Sequence, residues 1–275
     1  MKRIEKWDHL KFFLIYMVVL GHVLLSYPGM SLVRGLVFLI YSFHMPLFLF
    51  LSGLFSKNTI ARKNYTRIFS YLLISLIIQA AKALNGTPFR FSLSFSESGA
   101  PWYMFALFCY LLLTMALRRL NGIAVLVFAI ALSCAAGYCD KIGDFLVLSR
   151  IIVFFPFFFA GYLLREEQVR SFTSRREVQV FSLIFLFVMT GLVAVRLYSF
   201  YPFTYLFTGR QPFSVFVRHA EAAADNGLFP FSAISGKIDS LAWLFRLLYY
   251  PYAALVSLSA MSLIPEKLPL RQISV

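Results

Sequence analysis

Charged residues are scarce in this 275-residue chain, and acidic ones are the scarcest. Asp and Glu number 12 against 26 Lys and Arg, and the four types together make up 14% of the sequence. Soluble domains usually carry about 25% charged residues. With 60% hydrophobic residues, 32 phenylalanines and a mean hydropathy of +0.76, the composition excludes an ordinary soluble protein. It indicates an integral membrane protein.

Cysteine is also rare, and three familiar catalytic signatures are missing. Cys109, Cys134 and Cys139 lie in or beside apolar runs without metal-ligand spacing, so we predict buried, inert thiols and no metal site. The sequence contains no GxSxG, HExxH or Walker motif. Soluble hydrolase, zinc peptidase and nucleotide-binding functions therefore lack support.

Long apolar runs recur along the whole chain. A membrane-spanning helix needs about 20 mostly apolar residues. The runs do not alternate polar and apolar positions, which disfavours an outer-membrane barrel. We therefore predict an all-α, polytopic transmembrane bundle of about eight spans. The runs lie at 10–27, 34–56, 68–84, 102–117, 121–138, 148–164, 178–199 and 240–263.

Basic residues concentrate on every second connection between these runs. The clusters are Lys2, Arg3 and Lys6; Lys57, Arg62, Lys63 and Arg67; Arg118 and Arg119; Arg165, Arg170, Arg175 and Arg176; and Lys267 and Arg271. The positive-inside rule then predicts a multi-pass protein with a cytoplasmic amino terminus. Since this placement accounts for the net charge of +14, we expect a lipid bilayer as the partner and no nucleic acid.

Two histidines, His22 and His44, lie inside the first two runs. Ionisable side chains at that depth are costly and usually functional. Eleven helical residues rise about 16 Å and turn through roughly 1100°, so Lys11 lies about 20° from His22 around the axis, with Asp8 about 40° off the same line. Asp8, Lys11 and His22 would form one polar stripe. His44, about ten residues inward from Arg34, is predicted to lie at a similar depth on the next helix.

Acyl transfer is the reaction that such a pair of imidazoles favours. A neutral imidazole can take the proton of a hydroxyl while that oxygen attacks an activated carbonyl. Two other interpretations remain open. The histidines can simply hydrogen-bond neighbouring helices and fix their packing. They can also relay protons in a transporter of a polar solute or lipid-linked sugar, although no internal duplication of the transporter kind is evident.

One connection, residues 200–239, is much longer than the others. Loops of this length are uncommon unless they are functional or disordered. Its prolines and glycines are typical of turns, while its many aromatic residues predict a segment folded onto the outer face of the bundle. His219 lies within it. We expect that histidine to be solvated, with a contact to substrate as the alternative.

Four blocks of the sequence resemble the acyltransferase-3 family of membrane O-acyltransferases, specifically its fucose 4-O-acetylase-like branch. They are WDHLKFFLIYMVVLGH, YSFHMPLFLFLSGLFSK, PWYMFALFCYLL and SRIIVFFPFFFAGYLLRE, in order between residues 7 and 166. The resemblance implies an enzyme of the bacterial inner membrane. It would move an acetyl group from acetyl-CoA, as co-substrate, to a hydroxyl of a sugar or cell-envelope polysaccharide.

The same resemblance implies roles for individual residues. His22 matches the essential histidine, as general base or transient acyl carrier, and His44 matches the second histidine of this branch. Asp8 and Lys11 match polar positions that orient His22 or meet the donor. Trp102 and Arg150, in the later blocks, are expected at the substrate. The basic residues expected at the phosphates of coenzyme A are Lys57, Arg62, Lys63 and Arg67, although membrane topology alone also explains that loop.

The chain departs from the family pattern at its carboxyl terminus. Family members usually continue with two further helices, whereas this sequence stops at PEKLPLRQISV. We therefore expect residues 1–275 to form a single integral membrane domain that is truncated relative to the family. An inactive membrane scaffold derived from the enzyme is the corresponding alternative.

Overall fold

The computed structural model describes residues 5–27, 29–57, 66, 69–70, 73–74, 76–78, 80–81, 84–85, 101–142, 145–195 and 199–266. All regular structure in these ranges is helical. The helices are α1 Glu5–Leu25, α2 Ser31–Leu54, α3 Pro101–Leu117, α4 Gly122–Ala136, α5 Leu148–Leu163, α6 Glu166–Thr173, α7 Arg176–Val195, α8 Phe203–Phe207, α9 Phe213–Asp225 and α10 Ile238–Leu263.

The predicted helical membrane bundle is confirmed. Every predicted run except 68–84 coincides with one of these helices, and the structure describes 68–84 only in part. Within the described ranges, α1, α2, α7 and α10 are long and apolar enough to cross a membrane, and α5 with α6 makes a fifth if that bent pair is one span. The helices α3 and α4 are shorter than a full span, so within the described ranges length alone supports four or five crossings.

Apolar side chains cover the outside of the bundle as well as its core. Phe12 on α1, Phe128 on α4 and Phe187 on α7 are between 69% and 80% exposed. A soluble surface rarely carries such contiguous apolar patches, whereas lipid accepts them without cost. Of the cysteines, Cys134 is buried as predicted, but Cys139 is exposed because it lies beyond the end of α4, so that prediction was wrong for Cys139.

Two glycines let α2 and α5 cross at backbone contact. A Cβ added at Gly53 would lie 1.9 Å from the carbonyl oxygen of Phe158, and one added at Gly161 would lie 2.0 Å from that of Phe50. Small residues at helix crossings permit this close approach, which strengthens packing in a membrane. Because the two helices run in the same direction, this contact also fixes the positions of their preceding turns relative to each other. Those turns carry His44 and Arg150.

One end of the bundle is tied together by polar side chains. We call it the Lys57 end, where α1 begins and α2 finishes; the turn end is the opposite one, where α1 finishes and α2 begins. The chain bends by 95° between α5 and α6. At this bend, Trp7 donates its indole N–H to Glu166 at 2.8 Å, and Lys6, only 1% exposed, donates to Thr173 at 3.3 Å. These bonds fix α6 against the start of α1.

The long connection packs against the bundle, as predicted. It contains the short helices α8 and α9 and a 3-10 turn at Phe231–Ile234. Phe213, Phe216 and Phe231 are at most 1% exposed. The ring of Phe203 contacts those of Phe216 and Phe231 at 5.9 and 4.9 Å between centroids. Burial of this aromatic cluster accounts for the ordered fold of a loop rich in proline and glycine.

Candidate active site

A cavity of about 670 Å³ opens between α1, α2, α3, α5 and the end of α8. Its polar and aromatic lining includes His22, Tyr41, His44, Trp102, Arg150 and Arg210, and the remainder is mainly aliphatic or methionine. Ligand sites are typically apolar clefts of this size with a few convergent polar groups. The structure therefore places the two predicted histidines, from two antiparallel helices, in one cavity.

His44 is held in a defined orientation. Its side chain is 4% exposed, and Nδ1 lies 2.7 Å from the carbonyl oxygen of Ile40 one turn earlier on α2. A carbonyl oxygen only accepts hydrogen bonds, so Nδ1 must carry the proton. Nε2 of the neutral ring is then an acceptor. The ring of Tyr41 packs edge-on against it, 4.8 Å between centroids, and restricts rotation.

His22 lies across the cavity and is much less constrained. Its side chain is exposed, and no described residue hydrogen-bonds it. The neighbouring Gly21 brings α1 close to α2, because a Cβ there would lie 3.2 Å from side-chain atoms of both Ile40 and Tyr41. Arg150 lines the same cavity. His22 is thus an accessible imidazole in a cavity that also contains a guanidinium.

Arg150 and Trp102 form a further part of the cavity wall. The guanidinium carbon of Arg150 lies 4.9 Å from the centre of the Trp102 ring, a cation–π contact. Trp102, 8% exposed, stacks on Phe154 of α5 at 5.9 Å between centroids. The hydroxyl of Tyr110 donates to the backbone oxygen of Arg150 at 3.0 Å and fixes the start of α5. A delocalised cation is therefore held at the cavity by aromatic packing.

The end of α8 closes the cavity from the turn end. Phe207 and Thr208 line it together with Arg210. Arg246 of α10, only 1% exposed, donates to the carbonyl oxygen of Leu206 at 2.8 Å. The last carbonyls of a helix lack partners within it, so this bond caps α8 and anchors it to a membrane-spanning helix.

The turn that follows α8 is bound to α5. Gly209 has φ of +61°, a conformation that favours glycine, and a Cβ there would lie 2.9 Å from a ring carbon of Phe154. Ser149 donates to the carbonyl oxygen of Gly209 at 2.7 Å. Ser149 precedes Arg150, so the same few residues of α5 position the guanidinium and the turn that carries Arg210.

The remaining predicted residues do not line this cavity. Asp8 and Lys11 lie on the first turns of α1, and the Lys11 ammonium sits 4.8 Å from the centre of the Phe55 ring. Lys57 donates to the carbonyl oxygen of Leu164 at 2.5 Å, so it caps α5. Burial, together with the nearby charge of Arg165, lowers the pKa of Lys57. The other basic residues of that loop, Arg62, Lys63 and Arg67, lie outside the described residues.

A line of side chains on α1 connects the cavity with Lys11. Ile15, Val18 and His22 line the cavity, and Lys11 precedes Ile15 by four residues. Residues spaced by three and four lie on one helix face. The stripe predicted from the sequence therefore runs along the face of α1 that forms the cavity wall, although its polar members are separated by about 16 Å.

Sequence reasoning missed several lining residues. Tyr41, Tyr103, Phe207, Thr208 and Arg210 were not identified. Arg210 had a weak signal, since it is one of few basic residues on the predicted outer side. The aromatic residues gave no signal, because phenylalanine and tyrosine occur throughout the sequence. No group of three or more potential metal ligands occurs among the residues that the structure describes.

Comparison with known proteins finds a matching protein family and a similar protein. The model of a family described as an acyltransferase domain, of the acyltransferase-3 type, matches residues 4–266. The chain is also similar to the nodulation protein NolL of Mesorhizobium japonicum, with 28% identity over 181 residues. That match covers 58% of this chain and 47% of NolL, so it spans about half the length of that relative. No solved structure matches the chain.

Proposed function

The chain belongs to the acyltransferase-3 family, and on that basis we propose that it transfers an acetyl group from acetyl-CoA to a hydroxyl of a sugar or cell-envelope polysaccharide. The observation that carries this proposal is the shared cavity of His22 and His44 beside Arg150. Two imidazoles supply proton acceptors, and a guanidinium supplies a positive charge. Acyl transfer to an alcohol requires both.

In the proposed reaction, His22 takes the proton of the acceptor hydroxyl. The hydroxyl oxygen bonds to the thioester carbonyl carbon, and the carbon–sulfur bond then breaks as the tetrahedral intermediate collapses. The proton passes from the imidazole to the departing thiolate of coenzyme A. Accessibility favours His22 for this role. A covalent acyl-histidine is the alternative route through the same side chain.

His44 would position the acceptor. Since Nδ1 donates to the Ile40 carbonyl, the Nε2 lone pair is available to accept a hydrogen bond from a sugar hydroxyl. Arg150 would stabilise the negative charge that develops on the carbonyl oxygen, as donors in an oxyanion hole do. Its contact with Trp102 limits the guanidinium to a narrow range of positions.

The donor would approach from the Lys57 end, along the face of α1 that joins Lys11 to the cavity. The apolar side chains of Ile15 and Val18 suit the pantetheine arm, and Lys11 suits a phosphate. Lys57 is less suited than the sequence implied, because the Leu164 carbonyl already accepts one of its hydrogen bonds and holds the ammonium at the end of α5. The proposed phosphate contacts of Arg62, Lys63 and Arg67 remain predictions.

This arrangement corresponds to a multi-pass protein of the bacterial inner membrane with its amino terminus in the cytoplasm. Basic residues on alternate connections support that orientation. The Lys57 end would then face cytoplasmic acetyl-CoA, and the turn end would face the glycan outside. The cavity lies nearer the turn end, and the face of α1 would carry the donor to it from the Lys57 end.

The test is acetyl transfer by the purified chain. Radiolabelled acetyl-CoA is supplied with de-O-acetylated envelope glycan, and label on the glycan is counted. We expect transfer by the wild type and at least about a hundredfold loss in His22→Asn. His9→Asn is the matched control, because His9 lies on the same helix but does not line the cavity.

Acetyl transfer, combined with two further measurements, separates the competing functions. Uptake of a labelled polar solute into proteoliposomes without any transfer of acetyl label would favour a transporter. An inactive scaffold would be favoured if the wild-type protein showed neither activity and if deletion of its gene left the mass spectra of the envelope glycans unchanged. Equal transfer by His22→Asn and the wild type would contradict the proposed role of His22.

A further inference from the structure

A second cavity lies at the turn end, on the other side of α8. Its volume is about 570 Å³, and its lining includes Arg34, Tyr201, Tyr205, His219 and Asn226. It contains neither of the two proposed catalytic histidines. No carboxylate is found among the described residues that line it. The cavity is therefore a separate, polar and aromatic recess with a cationic side chain.

The aromatic rings of this cavity lie in two planes at nearly a right angle. The rings of Tyr205 and His219 stack in parallel, 4.1 Å between centroids and 3° between planes. Tyr201 meets Tyr205 edge-on, at 6.1 Å and 80°. The guanidinium carbon of Arg34 lies 5.3 Å from the centre of the Tyr201 ring. Rings with apolar faces and polar edges are thus arranged beside hydrogen-bond donors.

This surface matches the chemistry of a sugar ring. A pyranose has apolar faces of C–H groups that can pack on aromatic rings, and a rim of hydroxyls that needs donors and acceptors. The cavity offers phenol, imidazole and amide groups for the rim and Arg34 for a hydroxyl or an acidic substituent. A fatty acyl chain would leave these polar groups unpaired, which is costly.

Both cavities share α8 as a wall. Tyr205 lines the second cavity, while Phe207 and Thr208 line the first. Tyr205 and Thr208 are three residues apart, or about 4.5 Å along a helix axis. A chain of linked sugars that bound in both cavities would place neighbouring units on two sides of this short helix.

We propose that the second cavity binds a sugar unit next to the one that is acetylated, so that the acceptor is an oligosaccharide or polymer rather than a free monosaccharide. This inference rests on the proposed function. It assigns the aromatic residues of the long connection to acceptor selection. It also gives His219 a contact with substrate.

The test measures binding as well as transfer. The probes are fragments of one, two and four sugar units, prepared from envelope glycan of cells that lack the gene and then de-O-acetylated. Affinities are measured by calorimetry with the full chain in detergent. We expect the wild type to bind the tetrasaccharide at least about tenfold more tightly than the monosaccharide, as one further stacked ring would provide.

Tyr205→Ala should bind the tetrasaccharide only as well as the monosaccharide, whereas Tyr205→Phe, which keeps the ring, should retain most of the gain. Tyr27→Ala is the control, because Tyr27 is an exposed tyrosine at the same end that lines neither cavity. Should Tyr205→Ala fail to fold, Tyr201→Ala removes the second ring face and carries the same expectation.

The outcomes distinguish this inference from the proposed function. Length-dependent binding that Tyr205→Ala abolishes, without any acetyl transfer, would support the second site and contradict the enzyme. Acetyl transfer with no dependence on fragment length in the wild type would support the enzyme and overturn the second site. Unchanged tetrasaccharide affinity in folded Tyr205→Ala and Tyr201→Ala would overturn it as well.

Discussion

The two ends of this bundle use similar polar side chains for different purposes. At the Lys57 end, Lys6 is bonded to Thr173, Trp7 to Glu166 and Lys57 to the Leu164 carbonyl. At the turn end, His22, His44 and Arg150 converge on a cavity. Polar groups that bond to one another stabilise a fold, whereas polar groups that line a shared cavity can contact a ligand.

This comparison separates residue type from residue role. Lys57 and Arg150 are both cations near the end of a spanning helix, and from the sequence both were candidates for binding a ligand. The structure assigns Lys57 to a helix cap, because its ammonium meets a backbone carbonyl. Arg150 instead lies over an aromatic ring on a cavity wall. The distinction depends on the contacts of each side chain, not on its charge.

The largest effect is expected from glycine substitution, and it should differ between the two ends. Gly53→Ala places a Cβ against a backbone oxygen that cannot move aside, so we expect loss of folded protein. Gly21→Ala meets only side-chain atoms at 3.2 Å and should fold. Size-exclusion chromatography of both purified variants is the measurement. A monodisperse, thermally stable Gly53→Ala protein would contradict the proposed role of that crossing.

His44→Asn should remove activity while keeping the fold. The asparagine amide can still donate to the Ile40 carbonyl, but it lacks the Nε2 acceptor, so acetyl transfer should fall about a hundredfold or more. The melting temperature should change little. The measurements are label transfer and differential scanning calorimetry.

Trp7→Phe provides the contrast from the Lys57 end. It removes the bond to Glu166 but keeps a ring against Phe55, which lies 5.8 Å away between centroids. Stability should fall by about 1 kcal/mol, the usual net value of a hydrogen bond, with transfer unchanged at a permissive temperature. The comparison of the two ends fails if Trp7→Phe loses activity as His44→Asn does.

Arg150→Lys tests whether a planar cation is required. Lysine keeps the charge but is a compact, strongly hydrated point charge that does not reproduce the contact with Trp102. We expect transfer to fall on the order of tenfold, less than for the histidines, with little change in acetyl-CoA affinity. Steady-state rates at varied donor concentration are the measurement. Full activity in the lysine variant would show that Arg150 acts only through its positive charge at the membrane interface.

The smallest effect concerns pH. Burial, and then the neighbouring Arg218 charge, lower the pKa of His219 from its usual value of 6.5. The unfolded chain therefore binds this proton more tightly than the folded one, so the contribution to stability is present above about pH 6.5 and is lost as pH falls through and below it. Tyr201, Tyr205 and Arg34 line the same cavity as His219.

His219→Phe isolates this contribution. The substitution keeps a ring to stack on Tyr205 and removes the titration, so the fall in melting temperature between about pH 7.5 and about pH 5.5 should be slightly smaller than in the wild type. Thermal unfolding at several pH values measures the difference. Identical pH dependence in both proteins would show that His219 is as solvated as an ordinary surface histidine.

The sequence predicted those features that follow from helix geometry. Apolar runs of sufficient length predicted the helices, and counting residues along α1 and α2 predicted a similar depth for His22 and His44, which both line one cavity. Both depend on local regularity. Similar reasoning placed Lys11 and His22 on one face, because α1 is uninterrupted between them.

Features that depend on distant contacts were not predictable in this way. Lys57 meets Leu164 across 107 residues, and Arg246 meets Leu206 across 40, and neither partner has a sequence signature. Helix α8 contributes Tyr205 to one cavity and Phe207 to the other, and it lies in a segment without helical periodicity. Their positions result from tertiary packing of aromatic side chains, which many alternative sequences would provide equally well.

The central claim is that His22 and His44 act as one site. It is tested most directly by a double-mutant cycle on acetyl transfer, with His22→Asn, His44→Asn and both together. Residues that act as a unit show non-additive effects, so we predict that the double variant loses about as much activity as the more damaged single variant. A loss equal to the product of the two single losses would show that the histidines act independently and would contradict the account.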